Sequence, residues 1–233
     1  MPATVKRRTI SQRSEMIYDA HNFGLILDTR EVFISLSETT LMIDWDTTRQ
    51  FLINLQILNS ISKEPILVHL ITCGGSWDYA MGIYDAIEHS NADPKLANVS
   101  TLSYAHARSM SSIIPQAAKY RVIMPTSYFM MHDGEYGDSG NVKTVFSGVD
   151  FYKNVANPRM IDIYVEKCKA GKKFQNWTEE KIRAEIEKQI AYKDDVYLTA
   201  REAVEWGLMD AVLGDEGFET IKMLKVDYEE EEE

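Results

Sequence analysis

Cysteine is scarce in this 233-residue chain: only Cys73 and Cys168 occur, and neither stands in a Cys-x-x-Cys or Cys/His ligand spacing. That excludes a disulfide framework or a structural zinc site of the usual kind, and both side chains are expected to be small, buried or half-buried groups. Proline (6) and glycine (12) are too few for a collagenous or low-complexity chain, while 45% hydrophobic and 26% charged residues give an ordinary globular balance. A basic stripe is also missing, because 25 Lys and Arg stand against 36 Asp and Glu. Nucleic acid is therefore not an expected partner, and Arg7, Arg8 and Arg13 are too few to change that. No apolar run approaches the roughly 18 to 20 residues of a membrane span, and the opening MPATVKRRTISQRS lacks an apolar signal core. The expectation is a soluble, cytoplasmic protein with no membrane partner.

What is present divides into a body and a tail. Asp227 and Glu229 to Glu233 supply six of the negative charges, so the net charge of −11 falls to −5 once they are set aside. Like charges repel and apolar residues run out there, so the end of the chain is expected to be disordered. Upstream, short β-branched runs alternate with helical patterns. Strands are expected at Glu31 to Leu36, Ile66 to Ile71 and Val99 to Tyr104, with helices at Asp44 to Asn59 and Trp77 to His89. This rhythm predicts an α/β fold of βαβ units around a mainly parallel sheet. In the first of these helices Trp45, Phe51, Leu52, Leu55 and Leu58 make the face meant for burial, with Asp46, Arg49, Gln50 and Asn54 opposite. A small-residue helix is expected around Ser111 to Lys119, then strands at Arg121 to Met124 and Tyr128 to His132. A helical pair at Pro158 to Lys169 and Thr178 to Ile190 follows, and a capping box at Thr199 to Glu202 starts a helix that stops at Gly207 before a strand at Leu208 to Leu213.

Three places carry the residue types of acyl transfer. Cys73-Gly74-Gly75-Ser76 follows a buried strand and precedes a helix, so paired glycines can present unobstructed N–H groups to an oxyanion, or simply make a tight connection. His106-Ala107-Arg108-Ser109-Met110-Ser111-Ser112 brings serines to the start of the next helix, where free N–H groups and the dipole favour negative charge; an N-cap role fits the same position. Phe129-Met130-Met131-His132-Asp133-Gly134 ends an apolar strand on a histidine, the usual proton shuttle near neutral pH. His21, His69 and His89 lack such a context, and His106 sits close enough to Ser109 to share its cleft. A carboxylate is needed to orient the imidazole, and Asp194 and Asp195 are the candidates. The order Ser, His, Asp matches none of chymotrypsin, subtilisin or the α/β-hydrolases, so another scaffold is required.

Four blocks resemble one family, the proteolytic subunit of the Clp protease (ClpP). Gly74-Gly75-Ser76-Trp77-Asp78-Tyr79-Ala80-Met81-Gly82-Ile83-Tyr84-Asp85 is similar to its glycine turn and following helix, and Arg108-Ser109-Met110 to its Ala-Ser-Met nucleophile turn. Met124-Pro125-Thr126-Ser127 leading to Met130-Met131-His132 resembles its Leu-Pro-Asn-Ser leading to Met-Ile-His. Thr199-Ala200-Arg201-Glu202-Ala203-Val204-Glu205-Trp206-Gly207-Leu208-Met209-Asp210 resembles its Ser-Ala-x-Glu-Ala-Val-Glu-Tyr-Gly-Leu-Val-Asp. The resemblance implies a crotonase-like αβ fold with a helical handle projection. It implies Ser109 as nucleophile, His132 as base and Asp195 as acid, with Asp194 as fallback, and the backbone N–H groups of Gly75 and Met110 as oxyanion donors. It also implies a residue-1–15 N-terminal extension, a protease domain at 16–214 with its handle near 134–192, and an acidic tail at 215–233.

By the same resemblance the expected activity is serine endopeptidase hydrolysis of unfolded proteins or short peptides inside a homo-oligomeric chamber of stacked heptamers, a tetradecamer. No metal or cofactor is implied in this subunit, and ATP is spent only by an AAA+ unfoldase partner. Alternatives are a noncatalytic ring subunit, a capsid-maturation or signal-peptide-peptidase-like protease, or an acyl-CoA enzyme of the same superfamily; an organellar or viral origin stays open. The chain departs from the family pattern in five ways, the first being a segment before Met16 that does not resemble the family's usual axial segment, which bears on docking to an unfoldase. Arg108 replaces a usual Ala, and Pro115 falls inside the presumed helix at a cost of about 3 kcal/mol if the helix continues through it. Asp133-Gly134 replaces Gln-Pro, which sets a second carboxylate beside the imidazole. Finally, the stretch from His132 to Asp195 is long, and extra length at Gly171 to Trp177 is expected to enlarge the handle.

Overall fold

The structure, a computed structural model, describes residues 10–35, 42–137 and 139–225, with the side chains of residues 10–13 and 35 excepted. The acidic run from Asp227 to Glu233 lies outside the described residues, as does most of the expected N-terminal extension. A first helix, α1 (Ile10–Phe23), runs through the boundary expected at residue 16. It leads to β1 (Leu25–Ile26), β2 (Glu31–Ser35), α2 (Trp45–Ile61), β3 (Ile66–Ile71), α3 (Trp77–Ala92) and β4 (Val99–Ser103). The main sheet has six strands in the order β1-β2-β3-β4-β6-β9, where β6 is Arg121–Ile123 and β9 is Ala211–Val212. All its pairings are parallel except β1 with β2, so the expected α/β architecture of βαβ units is the one observed.

Alternation along β3 explains why the sheet is covered on both sides. Ile66, Val68 and Leu70 join the main core with Phe51, Leu55 and Leu58 of α2 and Ile83 and Ile87 of α3. Leu67 points the other way, into a second cluster with Leu102, Val122, Ala211 and Leu224. Leu224 belongs to the 3-10 turn Ile221–Lys225, so the segment after residue 214 begins as a packed strap rather than a loose tail. Lys225 anchors the strap through Nζ, which donates to Glu31 Oε1 at 2.6 Å and to the Thr29 carbonyl at 2.9 Å. His69 lies beneath Glu31, with Nδ1 3.0 Å from the Tyr104 hydroxyl and Nε2 3.4 Å from Glu31 Oε2. His69 and Lys225 together hold the Glu31 carboxyl down at about 2.

The face of α2 differs from the helical-wheel expectation. Thr48, Phe51, Asn54, Leu55 and Leu58 are buried, whereas Trp45 and Leu52 are exposed. Asn54 tolerates burial because its side-chain amide donates to the Phe23 carbonyl at 2.6 Å. Asp44 caps the helix by accepting from Thr47 N at 2.9 Å.

A smaller three-stranded sheet holds β5 (His106–Arg108), β7 (Tyr128–Met131) and β8 (Val196–Thr199) in the order β5-β7-β8. β6 and β7 therefore belong to different sheets, although only a short turn separates them. Past the chain's sharp turn at Ser109, α4 (Met110–Ile113) gives way to a 3-10 turn, Ile114–Ala117. The expected single helix to Lys119 is thus replaced by two short pieces, and the change falls at Pro115, whose ring and missing N–H suit the start of a new turn. The projection consists of α5 (Val142–Phe151), a π-turn at Tyr152–Ala156, α6 (Asn157–Cys168) and α7 (Glu179–Lys193). The helix Val142–Phe151 went unanticipated. Gly171 to Trp177 does not enlarge the projection: Phe174 is buried edge-on to Trp206, and Gly171 packs on the Trp206 carbonyl so tightly that a Cβ there would overlap it. The capped helix α8 (Ala200–Trp206) has both halves of its capping box and ends on left-handed Gly207, and the strand after it is only Ala211–Val212. Among the described residues no helix is long and apolar enough to cross a membrane. Cys168 is buried and Cys73 half-buried, and burial pushes the Cys168 thiol up to about 12.

Candidate active site

The small sheet assembles the site through its register. In the antiparallel pair β7–β8, Met131 faces Val196, so the next residues outward, His132 and Asp195, face each other. In the parallel pair β5–β7, Arg108 lies beside Met130, and Ser109 N donates to the Met130 carbonyl at 3.2 Å. Ser109, His132 and Asp195 thus emerge at one end of three adjacent strands. His132 Nε2 lies 2.9 Å from Ser109 Oγ, and His132 Nδ1 lies 3.4 Å from Asp195 Oδ1. The first is a hydrogen bond and the second an ion-pair distance, in keeping with the looser geometry of sites without substrate. The imidazole is mostly buried and the carboxylate about half exposed.

Asp194 makes no ion pair or hydrogen bond with His132 among the described residues. It is the C-cap of α7 with φ 63°, and its N–H donates to the Ile190 carbonyl at 2.8 Å. No bond joins Asp133 to the imidazole among the described residues, so the carboxylate beside His132 in sequence is not the one beside it in space. Tyr197, two residues past Asp195, enters here with a contact the sequence does not show: its hydroxyl donates to Asp195 Oδ2 at 3.0 Å. That bond pushes the Tyr197 phenol above its ordinary range.

Ser109 has φ 50° and ψ −134°, a conformation that side chains with a Cβ rarely adopt. Its side chain makes no capping bond, which disposes of the N-cap reading. The helix it heads is four residues long, so the local N–H groups matter and a dipole contributes little. The other two serines serve the backbone. Ser111 Oγ accepts from Arg108 N at 3.0 Å and donates to the Arg108 carbonyl at 2.8 Å, while Ser112 Oγ donates to the Ser109 carbonyl at 2.6 Å and sits 2.7 Å from the Tyr164 hydroxyl.

The glycine pair is required by close approach. Gly74 has φ +105°, and a Cβ on it would lie 2.7 Å from Ser109 Cβ and 2.9 Å from Met110 N. Gly75 has φ +156°, and a Cβ there would overlap the Ile43 backbone. Ile43 bridges the turn by donating to the Gly74 carbonyl at 2.8 Å and accepting from Ser76 N at 3.0 Å, which passes over the Gly75 N–H. Met110 N is the first of its helix and has no carbonyl four residues back to bond. Gly75, Ser76, Ser109, Met110 and His132 line one cavity, of about 170 Å³, together with residues of the projection. Such a set is able to hold a carbonyl carbon against Ser109 with its oxygen toward backbone donors.

Arg108 lies away from this cavity. It sits beside Tyr128, whose hydroxyl raises the guanidinium pKa, with Tyr197 and Cys73 also nearby. His106 is half-buried against Tyr128, and burial holds its pKa below the ordinary value. No group of His, Cys, Asp and Glu able to hold a metal ion occurs among the described residues.

Comparison with known proteins agrees with this architecture. A model of the Clp protease family matches residues 12–216. The chain is 27% identical over 206 residues to the ATP-dependent Clp protease proteolytic subunit of Deinococcus radiodurans, covering 86% of this chain and 87% of that one. It is 31% identical over 203 residues to proteolytic subunit 1 of Protochlamydia amoebophila, covering 84% and 85%, and 28% identical over 192 residues to proteolytic subunit 2 of Pseudomonas aeruginosa, covering 80% and 82%. The match runs through the main sheet, the three strands that converge on Ser109 and the helical projection, so the mixed α/β fold is the ClpP-like one and the chain belongs to the Clp protease family.

Proposed function

We propose that this chain is an active serine endopeptidase in which Ser109 attacks the peptide carbonyl, His132 moves the proton and Asp195 orients the imidazole. The contact that carries the reading is the 2.9 Å approach of His132 Nε2 to Ser109 Oγ with Asp195 on the other ring nitrogen. In acylation His132 takes the hydroxyl proton as Oγ bonds to carbon, and the N–H groups of Gly75 and Met110 receive the oxyanion. The same imidazole gives the proton to the leaving amine. Water then repeats the sequence against the acyl-enzyme and regenerates Ser109. No step draws on a metal or cofactor held by this subunit.

The working form in this reading is a ring chamber of stacked heptamers fed with unfolded chains by an AAA+ ATPase. Two unpartnered apolar faces support assembly: Ile53, Ile57 and Ile61 along α2, and Val142, Phe146 and Val149 along α5, all exposed in the single chain. A noncatalytic ring subunit is the weaker reading, since Arg108 is turned toward Tyr128 and leaves the cavity open.

A fluorophosphonate probe tests the chemistry. Wild type should be labelled and Ser109→Ala should not; label persisting in the variant would remove Ser109 as nucleophile. Light scattering tests the assembly, and a stable monomer that still cleaves peptides would refute the chamber.

A further inference from the structure

The cavity beside Ser109 is also lined by residues no triad needs. Tyr136, Tyr152, Asn157 and Met160 share its lining with Met110 and His132. Tyr152 and Asn157 are five residues apart, which in an α-helix of 3.6 residues per turn would put them about 140° apart around the axis. The π-turn at Tyr152–Ala156 narrows that divergence: Asn157 N donates to the Tyr152 carbonyl, one residue beyond the α-helical partner. Both side chains then face the cavity.

Tyr136 is clamped against this helix at two points. Its ring packs on Tyr152 with centroids 4.9 Å apart and planes tilted by 52°. Its hydroxyl lies in a notch over Gly148, where a Cβ would overlap Oη and come within 2.8 Å of Cζ. Gly148 sits inside α5 with ordinary helical backbone, where alanine would be the better helix former. The glycine weakens the helix and makes room for one ring.

We infer that Tyr136, positioned by the Gly148 notch and by Tyr152, is the specificity-determining wall that limits the size of the substrate side chain accepted next to the scissile bond. This rests on the peptidase reading above, because the cavity becomes a side-chain pocket only if Ser109 attacks at its mouth. Removing the ring deepens the pocket. A methyl group on Gly148 has the same effect from outside, by expelling the ring from its notch.

The test is a set of fluorogenic peptides that differ only in the residue on the acyl side of the cleaved bond: Ala, Leu, Phe and Trp. The readout is the ratio of kcat/KM for Trp to that for Leu, with fluorophosphonate labelling of Ser109 certifying each variant as folded. Tyr136→Ala should raise the ratio about tenfold or more, the scale on which apolar pockets discriminate by size. Gly148→Ala should raise it similarly, and the double variant should exceed Tyr136→Ala by less than twofold, since both changes act through one ring. Tyr136→Phe keeps the ring and should keep the wild-type ratio. An unchanged ratio in a labelled Tyr136→Ala protein overturns the assignment, whether or not Gly148→Ala folds. A Gly148→Ala effect undiminished in the Tyr136→Ala background overturns the positioning role. Wild type that takes no label and cleaves no peptide overturns the peptidase reading, and the wall falls with it; a labelled wild type with flat ratios across all variants overturns the wall alone.

Discussion

Replacing Asp195 by asparagine separates register from sequence proximity. The carboxylate lies 3.4 Å from His132 Nδ1 and is about half exposed, so an effective dielectric near 40 is appropriate, between water and a protein surface site. At that distance the imidazolium formed in acylation gains about 2.5 kcal/mol from the charge. Since 1.36 kcal/mol is a factor of ten, the charge alone supplies about 10²-fold in rate. An amide in its place also turns an N–H toward the ring and favours the wrong tautomer, an effect that reaches about 10⁴ where the acid is buried and hydrogen-bonded. Exposure and the long contact put the expected loss for Asp195→Asn between about 10² and 10³ in kcat/KM, by the same reasoning. Asp194→Asn should change kcat/KM by less than about threefold, because that residue caps α7 with its backbone and keeps its bond to Ile190. Initial rates on a fluorogenic peptide and the second-order rate of fluorophosphonate labelling should fall together for Asp195→Asn. Equal losses at the two positions, or a larger one at Asp194, would show that the Met131–Val196 register does not set the acid.

Tyr197→Phe removes the 3.0 Å bond to Asp195 and should lower kcat about fivefold with KM unchanged, the scale of one hydrogen bond to a carboxylate; a shift in KM instead would make Tyr197 a substrate contact. Gly74→Ala sets a Cβ 2.7 Å from Ser109 Cβ at φ +105°, so labelling should fall at least about 100-fold, with strain of about 1–2 kcal/mol seen as a lower Tm. An alanine variant labelled at the wild-type rate would disprove the close packing of the turn on the serine. Glu31 is depressed to about 2, so its contribution to stability is complete above the ordinary carboxylate value and is lost as pH falls toward 2. Discounted for partial exposure, it amounts to about 1–2 kcal/mol at pH 7. Urea melts of Glu31→Gln should show that loss at pH 7 and a narrower gap from wild type below pH 4; a gap that stays constant with pH would dissociate the effect from ionisation.

The centre of the main sheet is readable because β2 and β3 are runs of β-branched and apolar residues, each followed by a helix with a 3.6-residue pattern, whereas β1 and β9 are two residues each and leave no such signal. The small sheet is not. β5 is only His106–Arg108, too short for alternation to register, and β6 and β7 look like neighbours across a turn although they enter different sheets. Local chemistry therefore points to His132, to a cluster of three serines and to a pair of aspartates, and only the family resemblance picks Ser109 and Asp195 from them, while the pairings that bring His132 opposite Asp195 are long-range. No local signal separates Asp194 from Asp195. The buried face of α2 was misread at Trp45 and Leu52 for a related reason, since periodicity marks an apolar stripe without saying which part of it another element covers. Asn54 reverses the rule because a carbonyl thirty-one residues away satisfies it.

The serine cluster shows how a strained residue is held in place. Backbone geometry of the Ser109 kind costs about 1–3 kcal/mol unless the surroundings over-determine it. Here the Ser109 N–H is fixed by Met130, its carbonyl accepts from both the Ser112 N–H at 2.9 Å and the Ser112 hydroxyl, and Arg108 is bonded at both backbone groups to Ser111. Ser111 and Ser112 are fully buried, so each of these bonds carries about 1 kcal/mol and breaking any of them strands a polar group. Pro115 fits this arrangement. A helix continuing through that point would ask Ser112's carbonyl to bond the next backbone N–H along, whereas the 3-10 turn leaves it to the Gln116 side chain at 2.8 Å, which also reaches the Leu208 carbonyl. The proline therefore ends a short helix where Gln116 ties the Ser109 turn to the segment after α8. Of the serines near His106, one is free for chemistry because the other two hold its backbone.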